Sequence, residues 1–414
     1  MNSPANRFAT AAVLLLWFQT AAFCQDWPQW RGPGRDGVID AVSAPAKWPE
    51  SLSKGWSVKV GESYSSPVLA GGRIFVHSRQ DPEEMVTAID RASGKILWQK
   101  KYPAQFTKQS DAAKMAKGPH ATPLVAGKRL FTVGASAIVT AWDTATGDRL
   151  WSNDYSKTVD TSKLFCGASA SPLMANGLVV INAGSDIHGG KVIALDPATG
   201  QEKWTWSGPG PGYASPISVV AGGKTHVVTL TENSIVGIDA ATGLQLWSTP
   251  FPDTWNENIV TPLWTGSRLI ISGTRRGTHA YSLKEAGGKW QAAEDWKTSE
   301  VEMYMSTPVF GDGLIFGHST KKRGQFVALD AATGALRWAS EGRDGDQASV
   351  LLTPKNVVYL TNSGQLVVAA RNGTKYSQEK RYTVSNAETW ASPILVGSDL
   401  YVRDANELVQ FSLQ

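Results

Sequence analysis

Short apolar runs alternate with turn-forming clusters along nearly the whole chain, and no long amphipathic period interrupts them. That pattern predicts strands joined by tight turns. One stretch recurs. Ala141–Trp151 reads AWDTATGDRLW, and variants of it occupy Ala88–Trp98, Ala194–Trp204, Gly237–Trp247 and Ala328–Trp338. The shared core is Asp-x-x-(Thr/Ser)-Gly-x-x-x-Trp. A short apolar run precedes each Asp, and a strand-like run carries each Trp, so each copy predicts a hairpin. Its Asp (Asp90, Asp143, Asp196, Asp239, Asp330) can accept from backbone N–H groups of its own turn. Its Gly (Gly94, Gly147, Gly200, Gly243, Gly334) can take the positive φ that the turn needs. Its Trp (Trp98, Trp151, Trp204, Trp247, Trp338) then supplies a large packing surface on the following strand.

A second landmark lies upstream of each hairpin, a Ser/Thr-Pro pair opening an apolar strand. These are Ser66-Pro67, Thr122-Pro123, Ser171-Pro172, Ser215-Pro216, Thr261-Pro262, Thr307-Pro308 and Ser392-Pro393, and one unit without the Pro begins near Ala348-Ser349-Val350. Eight units at a mean spacing of about 47 residues, built of strands only, predict an all-β fold: a single eight-bladed β-propeller with a four-stranded antiparallel sheet per repeat. Unit six shows the strands as Thr307–Phe310, Leu314–His318, Gln325–Leu329 and Leu336–Ala339. Unit eight has room for three: Pro393–Val396, Leu400–Arg403 and Leu408–Leu413. Gly55–Val60, which resembles Leu97–Tyr102, is predicted to complete blade eight and close the ring, removing its open edges. Units five (Tyr281–Trp290) and seven (Ala370–Tyr376) lack the motif. They are expected to be blades with poorer packing against their neighbours.

At 414 residues the chain is read as one closed domain over residues 55–414, preceded by a strap over 25–54. Net charge is +4, too mild to argue for nucleic acid, and no aromatic-plus-basic stripe of the kind single strands need is present. Met1–Cys24 reads as a secretory signal: Arg7 precedes an apolar core, Phe8–Phe18, too short to span a bilayer. Export to the periplasm or the medium is therefore expected. A lipid anchor on Cys24 is disfavoured by the bulky Phe23 before it. Removal of the signal leaves Cys166 alone, so no intrachain disulfide can form. No other stretch could span a membrane, and a monomer is expected. Asp26–Gly37, with two Trp, two Pro and three Gly in no strand period, reads as a rigid plug or brace on the propeller, or else as a docking segment.

The long connections, among them Lys101–His120, Ser152–Ser169, Pro250–Val260, Gly184–Gly190, Thr274–Gly277 and Thr320–Gly324, all belong to one face, and Lys101–Pro119 is expected to carry a short helix over its mouth. Binding is usually placed where such loops gather. The residue three before each Pro should sit at the inner rim of that face: Tyr64, His120, Ser169, Tyr213, Ile259, Met305, Gln347 and Trp390. Tyr64, His120, Tyr213 and Trp390 can hold a flat ligand by stacking and hydrogen bonding, or simply line a water-filled funnel. Arg275, Arg276, Lys321, Lys322 and Arg323 fall on adjacent loop tips of blades five and six. Together they can recognise anionic groups, although such tips are commonly only solvated. His77 and His318 fall at matching loop positions of non-neighbouring blades. With no His-x-x-x-His or Cys-x-x-Cys spacing, no metal site is expected. Asp186 with His188, and Arg343–Asp346, are weak as ligand sets. No nucleophile motif and no general acid/base pair can be placed.

The five docking hairpins with their Ser/Thr-Pro openings resemble the tryptophan-docking repeat of the pyrroloquinoline quinone (PQQ) propellers, and WPQWRGPGRDG after the signal resembles the start of many secreted bacterial members. The resemblance covers Trp27–Leu413 and implies fold more than function. One branch, the quinoprotein dehydrogenases, implies PQQ and calcium on the axis and oxidation of alcohols or sugars. The vicinal Cys-Cys that many of them carry is missing here, their catalytic Asp and calcium-binding Glu and Asn find no counterpart, and the chain is short for that group. The other branch, the outer-membrane β-barrel assembly lipoprotein, implies a non-catalytic eight-bladed scaffold. The expectation is thus a non-catalytic binding module whose partner is an envelope protein or a small anionic or carbohydrate ligand, with a PQQ-dependent oxidoreductase as the alternative and an envelope assembly factor similar to the outer-membrane β-barrel assembly lipoprotein as a second alternative.

Overall fold

The computed structural model describes residues 26–107, 112, 115–157, 164–185 and 189–414. The predicted secretory signal at Met1–Cys24 with its Cys24, the Asp186/His188 pair and the middle of the Lys101–Pro119 insertion, for which the sequence suggests a helix, lie outside the described residues.

Eight antiparallel four-stranded sheets follow one another around an axis. Blade one runs through Val68–Ala70, Arg73–Gln80, Glu83–Asp90 and Ile96–Pro103. Blade six runs through Val309–Gly311, Leu314–Ser319, Gln325–Asp330 and Leu336–Ala339, within two residues of the predicted strands. Blade eight takes its outer strand from the other end of the chain: Ser53–Lys59 pairs with Glu407–Ser412. Second and third strands are buried on both faces, as at Leu269–Gly273 or Val357–Thr361, because each sheet is stacked between two others. The outer strands alternate exposed and buried positions.

The hairpins behave as their residues dictate. Asp143 Oδ1 accepts from the N–H groups of Ala145 (2.8 Å) and Thr146 (3.0 Å), and the other four Asp residues do the same within their own turns. The Trp of one blade lies on the Gly of the next. A Cβ on Gly200 would stand 2.7 Å from Trp151 Cδ2, and the indole N–H of Trp151 donates to Pro197 O at 3.2 Å. The same joint is made by Trp98 on Thr144 O and Trp204 on Ala240 O, and the closing strand makes it with Trp56 on Arg91 O. Each docking Trp is paired across its own hairpin with a small residue, Ala88, Ala141, Ala194 or Ala328, or Gly237, and a register shift follows at once. The small residue leaves room for the indole, and the bulge turns it towards the neighbouring blade. This is the physical content of the Ala-x-Asp that opens the motif.

The two divergent units are blades, but their joints differ from expectation. Unit five keeps the small residue and the Trp: Ala280 pairs with Trp296, not Trp290, because the hairpin is lengthened to Gly277–Ala286 and Lys289–Thr298. Trp296 donates to Ala331 O at 3.1 Å, so the joint to blade six is intact. In unit seven Asn372 replaces the Asp, its Oδ1 accepting from Thr374 and Lys375, and Trp338 docks on its carbonyl at 2.8 Å. Two joints are rebuilt: from blade seven to blade eight, where Lys380 and not a Trp stands opposite Val368 at the register shift, and between blades four and five. There Trp247 donates to His226 Nδ1, and His226 meets Trp290 edge-on with centroids 4.5 Å apart.

Candidate ligand-binding funnel

The Ser/Thr-Pro pairs form a belt around the axis. The Ser66 N–H donates to Thr122 Oγ1, Thr122 to Ser171 Oγ, Ser171 to Ser215 Oγ, Ser215 to Thr261 Oγ1 and Thr261 to Thr307 Oγ1, at 2.9–3.2 Å. Ser392 N–H closes on Ser66 Oγ at 2.8 Å. Each hydroxyl thus satisfies an amide that would otherwise be buried without a partner. The Pro that follows gives up no ladder bond, because it opens the strand. Unit seven, which lacks the Pro, interrupts the belt: Ala348 N–H turns to Ser306 Oγ instead.

The amino-terminal strap crosses the axis on one side of this belt. Trp27 exchanges backbone hydrogen bonds with Leu69 in blade one, and Ile39 N–H donates to Leu352 O in blade seven. Between them two buried arginines spend their guanidinium groups on blade carbonyls. Arg31 donates to Thr307 O (2.7 Å), Pro308 O (2.5 Å) and its own Asp36 O (2.7 Å). Arg35 donates to Pro216 O (2.8 Å), Pro172 O (2.9 Å) and Ser171 O (2.7 Å). Burial lowers both, Arg31 to about 10 and Arg35 to about 9, so both remain charged at neutral pH. The strap is therefore a brace tying blades on opposite sides of the ring.

On the other side of the belt lies a cavity of about 180 Å³. All eight rim positions predicted from the Pro spacing line it: Tyr64, His120, Ser169, Tyr213, Ile259, Met305, Gln347 and Trp390. Trp30 and Arg31 form the floor, and the long loops add Met115, Phe165, Cys166 and Glu257. Glu257 and the loop sulfur groups could not be foreseen from the pattern, since nothing in the repeat marks them. Tyr64 packs against His120 and Trp390, with centroids 5.4 and 5.7 Å apart. Tyr64 OH (3.2 Å) and Trp390 Nε1 (3.0 Å) both donate to Glu388 Oε2. Burial, and then the Glu388 carboxylate, raise the Tyr64 phenol to about 12, so it stays a donor. Tyr213 OH accepts from Phe165 N–H at 2.6 Å, anchoring a long loop. On the far side Tyr304 OH donates to Glu257 Oε2. Next to that pair is a second cavity of about 300 Å³, walled by Asp253, Trp255, Glu257, Thr274, Arg275 and Tyr304. Trp255 is 70% exposed.

The five cations proposed for anion binding do not line the funnel, and they do not act as one group. Arg276 pairs with Asp253 at 3.0 Å, donates to Asn258 Oδ1 at 2.7 Å and lies over the Phe251 ring. Lys321 donates to Ser299 O. Arg275, Lys322 and Arg323 remain exposed, Arg275 in the wall of the second cavity. His77 and His318 are not on loop tips. They are buried in the second strands of their blades, His77 bonded to Tyr102 OH at 2.9 Å. Arg343–Asp346 likewise serves the fold, with Asp344 accepting from Ser340 Oγ and Arg381.

The chain matches the family model described as outer membrane protein assembly factor BamB, in overlapping stretches over residues 36–100, 50–118, 82–340 and 210–414. It is 25% identical over 321 residues to the outer membrane protein assembly factor BamB of Moranella endobia, covering 76% of this chain and 66% of that one. It is also 25% identical over 332 residues to the quinohemoprotein alcohol dehydrogenase of Comamonas testosteroni, covering 67% of this chain and 42% of that one. The chain thus spans less than two thirds of either relative. Among solved structures, a europium-containing methanol dehydrogenase superposes with a TM-score of 0.66 at 14% identity, over 94% of this chain and 98% of that one. At that identity the likeness shows the fold alone.

Proposed function

This chain belongs to the PQQ-repeat β-propeller family, and from that premise we propose that it is an exported, non-catalytic scaffold that binds a cell-envelope protein through its long-loop face, with the funnel at the centre of contact. One observation carries the reading. Eight side chains, one from each blade, converge on a single aromatic-rimmed cavity with the strap behind it. Such a cavity, with Trp30 and Arg31 of the strap in its lining, can receive a projecting group.

The family also raises PQQ and calcium, and the residues present do not fit that pair. Among the described residues no three His, Cys, Asp or Glu side chains converge on a point that could hold a metal ion. The lone Cys166 has no adjacent cysteine to make a vicinal pair. The further assignment, to a role in outer-membrane assembly like that named for BamB, draws support from the family match and is part of the same proposal.

The test is thermal unfolding of the mature chain with and without PQQ plus calcium, run beside crosslinking of the tagged protein in envelope fractions. The proposal expects no shift with PQQ, and a crosslinked envelope partner that is lost in Tyr213→Ala and Trp390→Ala. A ligand at ~100 times its Kd stabilises by about 2.7 kcal/mol, which is readily seen. A saturable shift with PQQ that Tyr213→Ala abolishes, together with dye-linked oxidation of an alcohol or sugar, would overturn it.

A further inference from the structure

The funnel's chemistry is set by which charges face it. Arg31 sits on the floor, but its terminal nitrogens are already spent on three carbonyls. The cationic tips of blades five and six stand outside the lining. The rim presents the rings of Tyr64, Tyr213, Trp390 and His120 between apolar and uncharged polar side chains; Glu257 lines the wall, and Glu388 stands beside the rim as a hydrogen-bond acceptor. Tyr64 and Trp390 touch each other and share Glu388 as their common acceptor. A ring that donates its proton to an anion gains electron density on its face, and a richer face attracts a cation more strongly. Across the cavity Glu257 lines the wall with Tyr304 as its donor, and it also bounds the second cavity beside the exposed Trp255. A carboxylate held by an aromatic donor thus stands on each side of the funnel, Glu388 beside the rim and Glu257 in the wall shared with the second cavity, where Arg275 also lies.

We propose that the group this mouth recognises is an organic cation, a guanidinium or alkylammonium head seated at the Tyr64–Trp390 rim with Glu388 and Glu257 as its counter-charges. This deepens the binding-scaffold reading and rests on it. It replaces the anionic ligand that the loop-tip cations suggested from sequence. The head can come from an Arg or Lys side chain projecting from a protein partner, or from a free organic amine. The cation belongs at the rim and not at the floor, where the Arg31 charge would repel it.

The experiment titrates the mature full-length chain by calorimetry with arginine amide, choline, citrate and glucose. Saturable binding of arginine amide or choline is expected, weakening as salt is raised. Glu388→Gln and Trp390→Ala should each weaken it by roughly 2–30-fold, the range of a cation–π contact. Trp390→Phe, which keeps a ring but removes the N–H to Glu388, should fall between wild type and Trp390→Ala. Circular dichroism of each variant confirms that the ring of blades is intact. Choline binding as tightly as arginine amide identifies a free amine as the source, and preference for arginine amide identifies a side chain. Preferred binding of citrate or glucose, indifference to Glu388→Gln, or no saturable heat with either cation would overturn the inference. If citrate or glucose binds and Trp390→Ala abolishes it, the scaffold reading stands and only the cation assignment falls. If no probe binds and the envelope crosslink survives the rim substitutions, both fall.

Discussion

Replacing Gly200 by Ala isolates the joint that holds one blade to the next. Two costs arise. Gly200 has φ +74°, and a residue with a Cβ in that region pays about 1 kcal/mol. The added Cβ would also stand 2.7 Å from Trp151 Cδ2 and Cε3, well inside contact. Either the indole slides away and gives up its 3.2 Å bond to Pro197 O, about 1 kcal/mol, or the joint is overpacked at about 1–3 kcal/mol. Gly177, in the first turn of the same blade, supplies the control: its φ is also +74°, and an added Cβ would meet nothing within 4 Å. The strain and the loss of unfolded-state freedom are common to both sites and cancel in the difference. Gly200→Ala should therefore lose about 1–3 kcal/mol more than Gly177→Ala. Urea unfolding followed by circular dichroism measures both, and tryptophan fluorescence reports release of the indole. In a Trp151→Leu background the excess should vanish, because there is no ring left to strike. Equal losses at the two glycines, or an excess that survives in Trp151→Leu, would refute the docking argument.

Arg35→Ala should strip three buried carbonyls of a charged donor and cost about 3–5 kcal/mol. Limited proteolysis should then cut the strap between residues 26 and 52 well before the propeller unfolds. Burial holds His318 down to about 4, against 6.5 for the free side chain. Its neutral form is therefore favoured by folding, and stability should be full above pH 6.5 and fall as the pH drops towards 4. The slope should approach about 1.4 kcal/mol per pH unit at most, and His318→Phe should flatten it in unfolding experiments across that range. Ser171→Ala removes the acceptor of the Thr122 N–H and should cost about 1 kcal/mol. Faster hydrogen exchange at the Thr122 amide would report it, and Ser171→Thr should restore protection.

How much was legible depended on the range of the interaction. Asp143 and Gly147 act within one turn, so their roles could be read from five local copies. The rim was legible for a related reason: in a closed ring, equal distance from a repeated Pro places Tyr64, Tyr213 and Trp390 at equal depth. Trp296 was missed because an eight-residue reading frame fixed on Trp290, while the hairpin that carries it had lengthened; only pairing with Ala280 shows which Trp docks. Asn372 was missed because its Asp-like role needs its amide oxygen in place, not its charge.

The amino-acid sequence by itself determined the eight blades, the closure by Ser53–Lys59 and the circle of rim positions, since each follows from a repeated local rule. Only the tertiary structure decided the chemistry of the site. Arg31 and Arg35 look like surface charges in the chain, yet they are buried among blade carbonyls 136–277 residues away. Arg276, one of five loop-tip cations suggested for anion binding, is paired with Asp253 from the preceding loop. Glu388 and Glu257, unremarked in any motif, come to stand beside the aromatic rim, one accepting from Tyr64 and Trp390 and the other lining the cavity. Charge is long-ranged and unspecific about its partner, so its meaning is fixed only when folding has chosen what lies beside it.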